Sequence, residues 1–573
     1  MISRYIFGTP LPTMAVFREI APSGGEIPHF TVTKADGSVS FTTILGDDDL
    51  IFGLGENVRG INKRGHLYRA WNMDDFSHTE NKGGIYSSHN LLLFSGEQGV
   101  FGAYFDDPSA VTFDLGYSDG GKAVITSENG NLSVYLIEST TLTGLVREFR
   151  HLIGRSYIPP KWAMGCIQSR WGYASEDDLN FIVSEHRKRH IPLDNVCMDI
   201  DYMEDFKDFT WNPVHFPDLK ATNARMKDEH IHLVPIIDAG IKQLTGDPIY
   251  DEGVQKDYFV KKADGSLFVG AVWPGRACFP DFLREDVRQW FGAKYHQLMD
   301  TGIEGFWNDM NEPVVFPDRT FPMDTRHEYD GMPCSHEKAH NIYGQCMAEA
   351  SWLGMKRHAP DRRPFLLSRS GFAGLQRFAA TWTGDNRSSW EHLKLANFQC
   401  QRLAASGISF AGADAGGFMG HPTPELFCRW MQMASFHGFF RNHSSGEFGG
   451  QEPWVFGQEV TSYVKAAIEG RYRLLPYIYT QFRRYAETGM PVLRSLALQC
   501  FTNKDTYWRG AEYFFGDHLY VIPIHEPQEG GRFLYIPEGV WYSYHTDSLM
   551  EDTGKDVWVK CPLSFLPVYV RGG

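Results

Sequence analysis

The chain lacks any apolar run approaching the ~18 residues that a membrane-spanning helix requires. Its start, "MISRYIFGTPLPTMAVF", has no basic segment followed by an apolar core of about 7–15 residues, so no secretory leader is expected. No long basic run occurs, and the net charge is −15 with a pI near 5.8. Such a surface repels nucleic acid and anionic membranes, so neither is an expected partner. It suits a protein kept apart in solution by like charge, and it leaves homo-oligomer formation open. There is no CxxC pair. The nine cysteines are scattered singly, which does not resemble a disulfide framework and predicts a reducing, cytoplasmic setting. N-x-S tripeptides begin at Asn131, Asn386 and Asn442, but without a leader they carry no weight. Low-complexity tracts, short-period repeats and a clear phosphate-binding loop are also missing.

What is present is bulk. Apolar residues make up 42% of 573, enough for a sizeable core, and the length predicts several domains. Aromatics reach 14%, which suits core packing and flat or sugar-like ligands alike.

Up to residue 157 the text reads as β-structure. "HFTVTKADGSVSFTTIL" and "KAVITSENGNLSVYLIE" alternate β-branched and polar residues. "ADGS" and "ENGN" predict tight hairpins within a sandwich-like domain. The first convincing helix is "LTGLVREFRHLIG". "SYIPPKW" then breaks regular structure with two prolines and marks a boundary.

From 158 to 488 short apolar runs alternate with amphipathic segments. Eight strands are expected: "WAMGCIQSR", "NVCMDID", "HLVPIID", "GFWNDM", "FLLSRS", "AATWTGD", "ISFAGADAG" and "SFHGFFRNH". Strand–helix alternation of this kind predicts a (β/α)8 barrel. Nearly every strand starts apolar and ends polar, at Arg170, Asp199 with Asp201, Asp238, Asp309, Arg369, Asp385, Asp414 and His443. One or two such ends would only mark where loops begin. The whole set predicts a shared polar pocket at the C-terminal mouth of the barrel, where such folds place their sites. From 489 to 573 β-rich text returns and predicts a C-terminal β-domain.

A pocket of carboxylates, arginine, histidine and tryptophan suits glycoside chemistry, which needs two carboxyl groups flanking the scissile bond. Asp309 and Asp385 end the fourth and sixth strands, 76 residues apart. "GFWNDMNEP" (305–313) closely resembles the nucleophile signature of glycoside hydrolase family 31, and "TWTGDNRSSW" (381–390) resembles its acid/base segment. The likeness extends through "IFGLGE", "RSYIPPKWAMG", "MDIDYMEDFKDFTWNP", "VWPGRACFPD", "GADAGGF", "RNHSS" and "RYRLLPYIY", and so covers most of the chain.

The resemblance implies a retaining, exo-acting α-glucosidase that needs no cofactor or metal and acts on small oligosaccharides. Asp309 matches the nucleophile and Asp385 the acid/base. Asp199, Arg369 and His443 match residues that bind the hydroxyls of the sugar being cleaved. Trp273, Trp307, Trp382 and Phe418 match aromatics around that sugar, with Ile237 as a neighbour, and Asp414 matches a supporting carboxylate. Trp171 falls where the family shapes the next subsite, and its bulk favours an α-1,6 over an α-1,4 linkage. Other α-glycosidases of the family, acting on xylosides or galactosides, are the alternative. Asn311 and Glu312 are expected to support the nucleophile, and Asp201 to be structural. Arg369 could instead serve only to pair a structural carboxylate, and Asp238 reads equally well as pocket or framework. Segment 314–335 is brief, which predicts a more open pocket. Family members usually continue past "PVYVRGG", so the C-terminal domain is expected either to be a short form or to have lost its end.

One rival motif remains. "HEKAH" (336–340) is a literal H-E-x-x-H, with Glu349 on the following helix as a conceivable third ligand. It would make the protein a zinc peptidase.

Overall fold

The computed structural model describes residues 1–80, 82–528 and 530–572. Two five-stranded antiparallel sheets form the N-terminal sandwich. Their inner faces interleave Phe30, Phe41, Phe94, Phe101, Phe105 and Phe113 into one core. "ADGS" closes a hairpin between Thr31–Ala35 and Ser38–Ile44, with Asp36 and Gly37 at positive φ (47° and 83°) as a two-residue turn demands. "ENGN" does not close a hairpin. The strands it joins, Lys122–Ser127 and Leu132–Glu138, belong to different sheets, so the turn crosses the sandwich instead. The expected helix spans Leu142–Leu152, with the Thr141 hydroxyl accepting from Gly144 N–H as its N-cap.

All eight expected barrel strands are present: Ile167–Arg170, Asn195–Met198, His232–Ile237, Gly305–Asn308, Phe365–Ser368, Ala380–Trp382, the segment 411–415, and Arg441–Asn442. Each pairs in parallel with the next. The ring closes through 411–415. Ala411–Gly412 pairs with the sixth strand, Asp414–Ala415 pairs with the eighth, and the eighth pairs with the first. The strands are buried along nearly their whole length, as a barrel wrapped by helices requires. The alternation has one gap. Between the fifth and sixth strands the chain makes only a 3-10 turn, Leu375–Arg377, which starts after Gly374 at φ 100°.

Two insertions rise over the mouth of the barrel. A hairpin of Gly270–Val272 and Gly275–Cys278 carries Trp273 at its tip, and a second hairpin pairs Arg326–Tyr329 with Met332–Ser335. A helix of 31 residues, Gln458–Thr488, closes the barrel region and ends on Gly489 in the left-handed conformation. The C-terminal domain sets a five-stranded sheet against the ribbon Gly531–Ile536/Lys555–Lys560, around a core that includes Phe514, Tyr520 and Trp541.

Candidate active site

The fourth strand is core to its last residue, Asn308, and then turns sharply. Met310 sits at φ 55°, a conformation that few non-glycine residues adopt. The turn lets Met310 N–H donate to the Asp309 carboxylate at 2.8 Å, while Asp309 N–H donates to Ile237 C=O at 3.1 Å. Its neighbours are framework. Asn308 donates to Tyr295 Oη and accepts from Ser351 Oγ, both at 2.8 Å, and Asn311 accepts from Ser370 N–H at 3.0 Å.

Asp385 follows the sixth strand through Gly384. A Cβ there would lie 2.0 Å from the Tyr86 ring, and φ is 65°, so only glycine fits. Tyr86 comes from the N-terminal domain, and its hydroxyl accepts from Asp385 N–H at 3.1 Å.

Arg369 joins the two segments. Its Nε lies 2.8 Å from Asp309 Oδ1, and a terminal nitrogen lies 3.5 Å from Asp385 Oδ2. It also pairs side-on with Glu312 and faces Asp74 of the N-terminal domain at 3.8 Å. Arg369 therefore pairs a framework carboxylate, as one of its two expected readings had it, and also touches both candidate catalytic groups.

The remaining expected residues gather around this centre. Asp199 accepts from Ile200 N–H at 2.8 Å, and its other oxygen lies 3.6 Å from His443 Nε2. His443 is held through Nδ1 by Ser169 Oγ at 2.7 Å. Trp307 stands edge-on to Trp382 and to His443, with ring centres 5.5 and 5.3 Å apart, and Phe418 stacks on His443 at 5.0 Å. Trp171 and Trp273 meet at 5.3 Å on the rim, and Phe316 of the brief segment packs edge-on against Trp273 at the same distance. The Asp201 carboxyl is raised by burial, with the nearby Trp171 side chain opposing the shift. Ile237 is fully buried and contributes its carbonyl. Asp238 donates its N–H to Asp208 Oδ1 at 2.8 Å, beside the pocket.

Asp414 pairs with a residue that the sequence reading missed. Arg441 donates to it at 2.6 Å, and both are completely buried. The same guanidinium lies over the rings of Trp307 and Trp382, at 4.6 and 4.8 Å. Only the parallel pairing of Asp414 with Arg441 in the closed ring reveals this base beneath the two indoles. Several buried polar atoms here make no protein hydrogen bond, among them the indole nitrogens of Trp307 and Trp382, Asp238 Oδ1 and Asp414 Oδ2. Clustered groups of this kind suit a polyhydroxylated ligand.

Burial is the leading cause of every carboxyl shift in the pocket. It pushes Asp385 well above the usual carboxylate range; Arg369 opposes this, and Asp309 and Asp74 add to it. The like charge of Asp309 is thus a secondary cause. The side chain of Asp385 stays 22% exposed, so water moderates the effect. Asp309 is also raised by burial, but Arg369 and Met310 N–H oppose this directly, so Asp309 is the better anion of the pair and Asp385 the better acid. Asp199 is pushed up to about 7 and Glu312 to about 7, again by burial first. His443 is held well below its ordinary value by burial and then by Arg441, and is neutral.

The HEKAH residues do not form a metal site. His336 occupies a single helical turn, His336–Ala339, and its Nε2 lies 2.8 Å from His340 Nδ1. Those two nitrogens are placed as hydrogen-bond partners, whereas a tetrahedral ion bound by both at about 2.0–2.1 Å would hold them about 3.3–3.4 Å apart. Glu349 pairs with Arg288 at 3.3 Å instead. Among the described residues no cluster of three ligating side chains is placed for a metal.

A closed barrel with paired carboxylates over its C-terminal mouth, flanked by two β-domains, defines a glycoside-cleaving enzyme. Residues 156–481 match the family description "Glycosyl hydrolases family 31 TIM-barrel domain". Residues 489–573 match that family's C-terminal domain, and residues 16–114 its N-terminal galactose mutarotase-like domain. The chain belongs to glycosyl hydrolase family 31. It is 38% identical to alpha-glucosidase 2 of Bacillus thermoamyloliquefaciens, over 94% of this chain and 68% of that protein. It is 32% identical to the alpha-glucosidase of Saccharolobus solfataricus, over 95% of this chain and 81% of that protein. A solved family 31 dextranase of Flavobacterium johnsoniae, complexed with isomaltotriose, superposes with a TM-score of 0.90 at 27% identity, covering 95% of this chain and 67% of that one.

Proposed function

We propose that this chain is a retaining α-glucosidase, releasing glucose from the non-reducing end of short α-linked oligosaccharides by double displacement. The observation that carries this reading is the single buried guanidinium of Arg369, which contacts Asp309 and Asp385 together at the barrel mouth. Asp309 attacks the anomeric carbon, and the leaving oxygen takes its proton from Asp385. Asp385 then removes a proton from the water that cleaves the glycosyl ester. Asp199 and neutral His443 are placed to accept from and donate to sugar hydroxyls. Trp307, Trp382 and Phe418 offer apolar faces that exclude water from a developing oxocarbenium ion.

The names of the relatives support glucose as the released sugar. The dextranase complexed with isomaltotriose supports α-1,6 cleavage, with the Trp171–Trp273 rim as the surface that selects the linkage. The scattered single cysteines, with no CxxC pair, support a reducing, cytoplasmic setting. No described helix is long and apolar enough to cross a membrane.

Hydrolysis of an aryl α-glucoside, with the product anomer followed by NMR, tests the reading. α-Glucose should appear first, and Asp309→Asn and Asp385→Asn should each lose several orders of magnitude in rate, about 1.4 kcal/mol per factor of ten. If β-glucose appears first, the double-displacement assignment is wrong.

A further inference from the structure

The HEKAH histidines do something other than bind metal. With His327 they form an unbroken buried chain. Asp281 Oδ1 lies 2.9 Å from His327 Nδ1, and His327 Nε2 lies 3.1 Å from His336 Nδ1. His336 Nε2 lies 2.8 Å from His340 Nδ1, and His340 Nε2 lies 2.6 Å from the carbonyl of Asn72. All three rings are fully buried.

Each of the four contacts needs one hydrogen. The two ends, a carboxylate and a carbonyl, can only accept. Three neutral imidazoles supply three hydrogens, so the chain requires one more. Whether it sits on a ring or on Asp281, the four side chains then carry no net charge. Removing it leaves a buried negative charge and one pair of acceptors facing each other, which is unfavourable in a dry interior. The hydroxyl of Thr320, 3.2 Å from His336 Nε2, does not replace the hydrogen needed between that nitrogen and His340. The second oxygen of Asp281 is already occupied by Glu328 N–H at 2.6 Å.

The far end of the chain is the loop that reaches the catalytic pocket. His340 stacks on Trp71 at 3.7 Å while it holds Asn72. Asn72 in turn donates to Ser370 Oγ at 2.9 Å, next to Arg369. Two residues further on, Asp74 faces Arg369, and the same N-terminal region supplies Tyr86 to Asp385. We propose that Asp281, His327, His336 and His340 form a one-proton lock that positions Asn72 and its neighbour Asp74 on the barrel, and through them Arg369 and Asp385. Loss of the proton at alkaline pH releases Asn72 or opens another link of the chain. Burial strongly disfavours extra charge on His336 and His340. The other titratable groups facing the set are Cys334 and Tyr343 beside Asp281, and Arg69 on the His340 side.

Asp281→Asn separates this proton count from simple packing. The amide has the same shape and supplies the missing hydrogen itself, donating to His327 while its oxygen accepts from Glu328 N–H. The variant fills all four contacts with neutral rings and has no proton to lose. On the full chain, the thermal midpoint of the wild type should fall relative to that of Asp281→Asn as pH rises. Parallel curves overturn the lock.

The kinetic arm uses His340→Phe, which keeps a ring against Trp71 but cannot donate to Asn72. Its kcat/KM on an aryl α-glucoside should drop about 10- to 100-fold, mainly in kcat, with its circular dichroism unchanged. His340→Gln, which can donate, should recover much of the loss. An unchanged kcat in His340→Phe removes the positioning role. This arm rests on the glycosidase reading, whereas the thermal arm does not. If the wild type cleaves no α-glycoside, that reading fails while the midpoints still decide the lock.

Discussion

Arg369 and Glu312 meet side to side, Nε to Oε1 at 2.9 Å and the terminal nitrogen to Oε2 at 3.0 Å, with Glu312 wholly sealed from solvent. Glu312 thus fixes the plane of the guanidinium that both candidate catalytic aspartates touch.

Glu312→Ala should therefore act twice. It leaves a buried guanidinium without its side-on partner, which costs up to about 3–5 kcal/mol and lowers the thermal midpoint. It also lets Arg369 swing fully onto Asp309, so kcat should fall more than the stability loss explains. Glu312→Gln, which keeps the shape, should retain more of both. Equal activity in the two variants argues against the orienting role.

Gly384→Ala should place a methyl group into the Tyr86 ring and force a strained backbone immediately before Asp385. We expect a fold recognisable by circular dichroism and a kcat reduced about 100-fold, the scale of a displacement near 1 Å. A wild-type kcat means that Asp385 does not depend on this close approach.

Asp199 links the pocket to stability. Its carboxyl is raised to about 7 in the fold, by burial and then by Asp309 and Asp201, against about 3.9 in an unfolded chain. The folded state therefore holds a proton that the unfolded state releases. This favours the fold at low pH and is lost as pH climbs through about 7. Asp199→Asn has no such proton. Its thermal midpoint should gain on that of the wild type between about pH 4 and 7 and level off above, by an amount on the order of a few kcal/mol, while activity falls. A pH-independent difference contradicts the assignment.

Trp171→Tyr tests linkage choice. Trp171 packs against Trp273, so a smaller ring should loosen the rim. The ratio of kcat/KM on isomaltose to that on maltose should drop severalfold. An unchanged ratio removes Trp171 from specificity.

The barrel was legible because its signals are local. Each strand announces itself as a short apolar run that ends in a charged or histidine side chain, and the ring places those ends over one mouth. The missing helix after the fifth strand was not legible, because the alternation on either side of it predicts a helix there too. Nor was the path of "ENGN", where a good hairpin turn crosses between two sheets. In the site, Asp309, Asp385, Arg369 and His443 could be named in advance. Arg441 could not, since nothing in "FFRNH" distinguishes a surface arginine from one buried beneath two tryptophans.

The sequence by itself determined the strand–helix rhythm, the polar strand ends, the two motifs and the membership of the family, because these are encoded over a few adjacent residues. Only the tertiary structure decided which groups meet. It set Glu312 against Arg369 and Arg441 under Trp307, brought Tyr86 and Asp74 of another domain to the pocket, and turned HEKAH from a zinc motif into a chain of hydrogen bonds. The reason is physical. These pairings span tens to hundreds of residues, and burial within a closed ring, rather than local propensity, sets their partners and their protons.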